Sequence, residues 1–269
     1  MESPVFAGLF LDGGSRLVLA LTLAVAIGFS LALLGSGGSI ITLPVLVYAA
    51  GVPPQEAVGM SLAVVGGTSL VASLVNARSG LVHSKAAVLF SVTGIVGAFG
   101  GAQLTHLVPG SVLMLLFAGL MLIVATLMLR GRGDLAPDPA THCRWQICAS
   151  AGLVVGGLTG FLGVGGGFLI VPAMVLFGPL ALKPAMATSL VVIAVNSFAG
   201  LAGHLHRSSF DWRIGGMFLG VAVAGMLVGR YFAGRLAADH LRRAFAWFVI
   251  AVAVFVVAKN WGAFFKPNL

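Results

Sequence analysis

Charge is scarce in this chain. Only 8% of its 269 residues are Asp, Glu, Lys or Arg, against roughly a quarter in soluble domains. The seven carboxylates, Glu2, Asp12, Glu56, Asp134, Asp138, Asp211 and Asp239, all fall at the edges of apolar runs or between them. A cation pump or an intramembrane protease needs acids within the span, and the runs hold none. Cysteine is nearly absent: Cys143 and Cys148 have neither the paired spacing nor the companion ligands of a metal site, and read as unpaired small apolar residues. There is no ATP-binding P-loop, Ser/His/Asp set, paired carboxylates or metal-ligand cluster, so enzyme chemistry, a metal and a cofactor are all unexpected. No positive n-region precedes the first apolar residues, and no cleaved signal peptide is expected.

What is present is apolar. Hydrophobic residues make up 59% of the chain and its mean hydropathy is +1.09. The runs continue for about 20 residues without two-residue alternation, which indicates membrane-spanning helices rather than a barrel. The net charge of +8 sits at the ends of these runs, where it orients helices in a bilayer. With no basic patch interleaved with aromatics, nucleic acid is not an expected partner.

Apolar segments cover about 17–50, 57–77, 86–105, 111–129, 145–178, 185–203, 214–235 and 244–258. Shifting the sequence by 128 residues superposes one half on the other without a gap: Gly28, Gly35, Gly37, Gly38, Pro44, Ser61 and Ser69 meet Gly156, Gly163, Gly165, Gly166, Pro172, Ser189 and Ser197. Internal duplication accounts for this. The reading is an all-α polytopic membrane protein of two homologous four-segment repeats, 1–130 and 145–269, joined by a Gly/Pro-bearing linker, 131–144.

The first segment of each half, about 34 residues, would reach about 51 Å as one helix, against a hydrocarbon core of about 30 Å. It has to break. If each is one broken pass, there are about eight transmembrane helices and the halves share an orientation; if each is two short passes, there are ten elements and the halves are inverted. Lys and Arg divide unequally between the faces either way, placing the linker in the cytoplasm. The shortness of 40–50 and 168–177 favours eight.

The breaks fall at Gly163-Val164-Gly165-Gly166-Gly167, with Pro172 beyond, and at Gly35-Ser36-Gly37-Gly38-Ser39, with Pro44 beyond. A helix restarting after glycines presents unpaired N–H groups and the positive end of its dipole, both favourable to an anion. Two restarts facing each other near the membrane centre would hold substrate as broken helices do in transporters. The competing reading is close packing by small residues. Beyond each break, Ser189, Asn196, Gly200 and His204 share one helical face, echoed by Ser61, Thr68, Ala72 and Asn76. Such a face either lines a pathway or makes interhelical hydrogen bonds. The candidate substrate-binding residues are therefore Ser36, Gly37, Gly38, Ser39, Ser61, Gly165, Gly166, Gly167, Thr188, Ser189 and Asn196, with a proton or gating role for His204 and Asn76.

The two glycine motifs with their prolines, the Ala187-Thr188-Ser189-Leu190 stretch with Asn196, and its echo Met60-Ser61-Leu62 resemble the TauE/SafE family of sulfite and organosulfonate exporters, also called the toluenesulfonate uptake permease group. The resemblance covers nearly the whole chain, although Ser36 and Ser39 stand where the second half has Val164 and Gly167. It implies a secondary exporter of small sulfur oxyanions in the cell inner membrane, with a small inorganic or organosulfur anion and the lipid bilayer as partners and a homo-oligomer as a further possibility. An uncoupled anion channel and a non-transporting membrane subunit or assembly partner remain as alternatives.

Overall fold

The computed structural model describes residues 15–34, 39–76, 80–129, 145–163, 169–171, 173–174, 180, 182–205, 212–233, 247 and 249–259. Among them every regular element is a helix. In chain order these are α1 (Ser15–Leu34), α2 (Ser39–Ala49), α3 (Pro54–Asn76), α4 (Ser84–Thr105), α5 (Gly110–Leu129), α6 (Trp145–Leu162), α7 (Leu182–His204), α8 (Trp212–Ala233) and α9 (Val249–Lys259). Residues 169–171 and 173–174 are also helical. Among the described residues, helices over Pro54–Asn76, Ser84–Thr105, Pro184–His204 and Arg213–Tyr231 are long and apolar enough to cross a membrane. Shorter apolar helices accompany them. The linker 131–144 lies outside the described residues.

Local chemistry sets the boundaries. Pro54 opens α3 where its missing N–H costs nothing, and Glu56 in the first turn complements the helix dipole. His83 caps α4, its Nδ1 accepting from the Ala86 N–H at 3.3 Å. Within α2, Pro44 cannot donate to the preceding turn, and the helix widens into a π turn over Val45–Ala49. The Val52 N–H then closes on the Leu46 carbonyl at 3.0 Å, and Leu180 repeats that bond on Met174 at 3.4 Å, 128 residues later.

The bounds of α3 and α7 differ by 128 at both ends, as do those of α4 and α8. The packing repeats with the same offset. Helix α4 packs closely on α6: the Gly156 position meets the Gly94 carbonyl, Gly160 meets Ala98, and Gly101 meets Gly157, leaving no room for a methyl group. Helix α8 packs in the same way on α1, with Gly28 against Ala222, Gly225 against Val25 and Gly229 against Phe29. Helices α4 and α8, equivalent under the offset, are thus each held by the first helix of the other half. Glycine is required here because backbone meets backbone.

The register of these contacts fixes direction. Numbers rise together along α4 and α6, along α1 and α8, and along α4 and α7, where Gly94 meets Asn196 and Ala102 meets Gly203. Along α3 and α7 they run oppositely, since Gly66 meets Ser197 while Gly200 meets Leu62. Numbers also rise together along α3 and α8, since Gly67 meets Leu219 and Asn76 meets Arg230, so α8 runs parallel to α3. Helices α1 and α3 therefore point one way and α6 and α7 the other. The first helices of the two halves are thus opposed, which differs from the expected arrangement with both halves alike. A run of 34 apolar residues is compatible with either arrangement, and tertiary contacts decide between them.

Cys148 is a second correction. It is buried and disulfide-bonded, not an unpaired thiol; Cys143, the only other cysteine of the chain, lies outside the described residues.

Candidate functional site

The polar residues marked by the sequence lie mainly on α3 and α7, which pack on each other antiparallel. Thr68 and Asn196, equivalent under the 128-residue offset, fall near the middle of that contact. Ser61 lies five residues before Gly66, and Ser189 eight before Ser197 on the opposed helix. About thirteen helical steps, or about 20 Å, separate the two serines along the bundle. The named residues thus occupy three levels and do not gather at one point.

At the level of the His204 end, α6 finishes at Gly163, whose N–H donates to the Thr159 carbonyl at 2.9 Å. Gly163 has φ +68°, and Val58 occupies the place a side chain would take, so this helix end requires glycine. The Ser61 hydroxyl, from the other half, is placed to donate to the Gly163 carbonyl and also lies 2.9 Å from the Val58 carbonyl. A hydroxyl of one half therefore meets the first residue of the glycine cluster of the other; Gly165, Gly166 and Gly167 themselves lie outside the described residues. His204 is fully buried, with Nδ1 3.0 Å from the Gly200 carbonyl and its ring 5.5 Å from that of His106.

At the middle level Asn196 is 1% exposed, and its amide fills the space where a Gly94 side chain would stand. Its Oδ1 has no hydrogen-bond partner among the described residues, nor do Oγ of Ser69, Oγ of Ser197 and Nε2 of His204. Thr68, the equivalent of Asn196, instead bonds back to the Val64 and Val65 carbonyls at 2.8 and 3.1 Å. A buried polar group left unmet costs about 1–3 kcal/mol.

At the Asn76 end, the His83 N–H donates to Thr188 Oγ1 at 2.9 Å, and Ser189 donates to the Met186 carbonyl of its own helix at 2.8 Å. Asn76 Oδ1 accepts from the Arg230 guanidinium at 3.1 Å. Ser39 is buried at the start of α2, while Ser36, Gly37 and Gly38 lie outside the described residues.

Asn196 meets α4 at Gly94, Gly200 meets α6 at Gly160, and His204 lies beside His106 just past α4. The buried polar side chains among the described residues are hydroxyls, the Asn196 amide and the His204 imidazole. The one described carboxylate, Glu56, stands in the first turn of α3. Sequence reasoning passed over Gly94, His106 and Arg230. Arg230 counts there as an orienting charge, and nothing local to Gly94 or His106 announces the neighbour that each meets.

Comparison with known proteins places this arrangement. A family model described as "Sulfite exporter TauE/SafE" matches residues 20–256. Two proteins of Xylella fastidiosa, each described as "Probable membrane transporter protein", are similar to the chain. The one from strain 9a5c is 35% identical over 244 residues, and the one from strain Temecula1 is 38% identical over 247. Both matches cover 88% of this chain and 93% of the relative. YunE of Bacillus subtilis, with the same description, is 27% identical over 250 residues, covering 84% of this chain and 89% of the relative. No solved structure matches.

Proposed function

We propose that this chain, which belongs to the sulfite exporter TauE/SafE family and is a multi-pass membrane transporter, carries a small sulfur oxyanion such as sulfite or an organosulfonate out across the cell inner membrane. The observation that carries the anion reading is the neutral interior, built of hydroxyls and one amide, with the Ser69 and Ser197 hydroxyls unpartnered among the described residues and no described carboxylate beyond the first turn of α3. A hydrogen bond to a charged group is worth about 1.5–3 kcal/mol, and a few such donors offset part of the water an oxyanion gives up. The sequence holds no ATP-binding P-loop, so the driving force is a gradient or a partner protein.

The matched helix bounds and the matched glycine contacts support reading the halves as copies of one unit, opposed in the membrane and interlocked through α1 with α8 and α6 with α4. On this reading the substrate passes three levels: Ser61 with the Gly165–Gly167 cluster, Asn196 at the centre, and Ser189 and Thr188 with Ser36, Gly37, Gly38 and Ser39. His204 and Asn76 stand at the two ends of the route. By chain order Arg16, Arg207, Arg213, Lys259 and Lys266 lie at the His204 end, and the other ten of the fifteen Lys and Arg lie at the Asn76 end. The positive-inside rule then puts the Asn76 end and the linker 131–144 in the cytoplasm.

Purified protein in proteoliposomes tests the reading. Saturable uptake of radiolabelled sulfite, competed by taurine or sulfoacetate more than by sulfate, is the expected result. A non-transporting subunit gives no flux, and a channel gives flux without saturation.

A further inference from the structure

The final residues of the two inner helices, Asn76 of α3 and His204 of α7, are equivalent under the 128-residue offset, yet they meet different partners. His204 lies beside His106, which follows α4. Asn76 accepts from Arg230 of α8, and α8 is to α3 what α4 is to α7. One structural position thus makes a side-chain pair at each end of the bundle: two imidazoles at the His204 end, and an amide with a guanidinium at the Asn76 end. An arginine in the last turn of a membrane helix ordinarily reaches outward to the headgroups. Arg230 instead turns across to the inner helix that carries the polar face, and Asn76 takes one of its five N–H donors. The planar fork of a guanidinium matches two oxygens of a sulfite or sulfonate at once.

We propose that Arg230 is the docking residue for the anion at the Asn76 end, the mouth from which an exported substrate enters, with the Asn76 amide holding the guanidinium over that mouth. The inference rests on the transport reading above. It gives the route a polarity, because the equivalent position of the first half, Ala102, offers no cation at the opposite mouth.

Right-side-out and inside-out membrane vesicles carrying the full chain, with radiolabelled sulfite as the probe, test it. Arg230→Gln raises the half-saturation concentration about tenfold in inside-out vesicles, where the cytoplasmic face meets the medium, and changes it less than twofold in right-side-out vesicles. Arg230→Lys keeps the charge but loses the fork, and recovers part of the difference. Arg230 is exposed, so the detergent melting temperature of both variants stays near that of the wild type. An equal change in both orientations, or none in either, overturns the assignment while leaving transport intact. Absence of sulfite flux in wild-type vesicles of both kinds overturns the transport reading and this assignment with it.

Discussion

Adjacent glycines on α4 give opposite predictions. A methyl group at Gly101 would run into the Gly157 carbonyl and come within 2.9 Å of the Phe161 nitrogen, both backbone atoms of α6, whereas one at Gly100 meets nothing within 4 Å. Backbone cannot swing aside as a flexible side chain can, so Gly101→Ala forces α4 and α6 apart. Overpacking of this kind costs about 1–3 kcal/mol. Gly100→Ala instead removes a helix-weakening glycine from a solvent- or lipid-facing position and gains up to about 1 kcal/mol. If a chain of this size responds by about 2–4 °C per kcal/mol, the two variants differ in melting temperature by several degrees and with opposite sign relative to wild type. The second half supplies a matched pair, Gly229 against the Phe29 backbone and the open Gly220. Thermal melting of detergent-solubilised protein, followed by size-exclusion recovery, reads the difference. Equal shifts for Gly100→Ala and Gly101→Ala would refute the packing register from which the opposed direction of the two halves is deduced.

Ser61→Ala removes the hydroxyl that meets the Gly163 carbonyl; folded yield falls modestly, a loss of about 1 kcal/mol, and sulfite flux falls more than yield. Gly163→Ala combines a strained positive φ with a clash against Val58, so membrane-inserted protein, measured by immunoblot, drops well below that of Ser61→Ala. Glu56→Gln leaves the pH dependence of flux largely intact, because Glu56 sits in the first turn of α3, away from the middle level. Loss of that dependence in vesicle flux at graded pH would assign the coupling proton to Glu56.

Much of the fold is legible in the residues. The membrane class follows from apolar runs with no interior acid, and the 128-residue offset found in the sequence reappears in the bounds of α3 with α7 and of α4 with α8. Opposed orientation does not follow, because a glycine-broken run of 34 residues permits both a single bent pass and a pass with a partial return. The three-level spread of the polar residues is hidden for a related reason. Helical periodicity puts Ser189, Asn196 and His204 on one face, but how far Ser189 lies from Ser61 depends on α3 and α7 being antiparallel. Gly94 looks like any small residue until the Asn196 amide is seen in the space a side chain would need. Arg230 looks like a membrane-edge charge until it is seen turned toward Asn76.

Asn196 is the buried amide at the middle of the antiparallel crossing, and its Nδ2 is the group that can donate to an anion. Sulfite binding to purified wild-type and Asn196→Ala proteins by calorimetry, beside their melting temperatures, measures whether that amide holds the anion. Loss of one hydrogen bond to a charged ligand, about 1.5–3 kcal/mol, weakens affinity by about 10- to 100-fold, and the account predicts that weakening in a protein that remains folded. Unchanged affinity with a lowered melting temperature would show Asn196 to be a contact between helices and would contradict the central placement of the substrate.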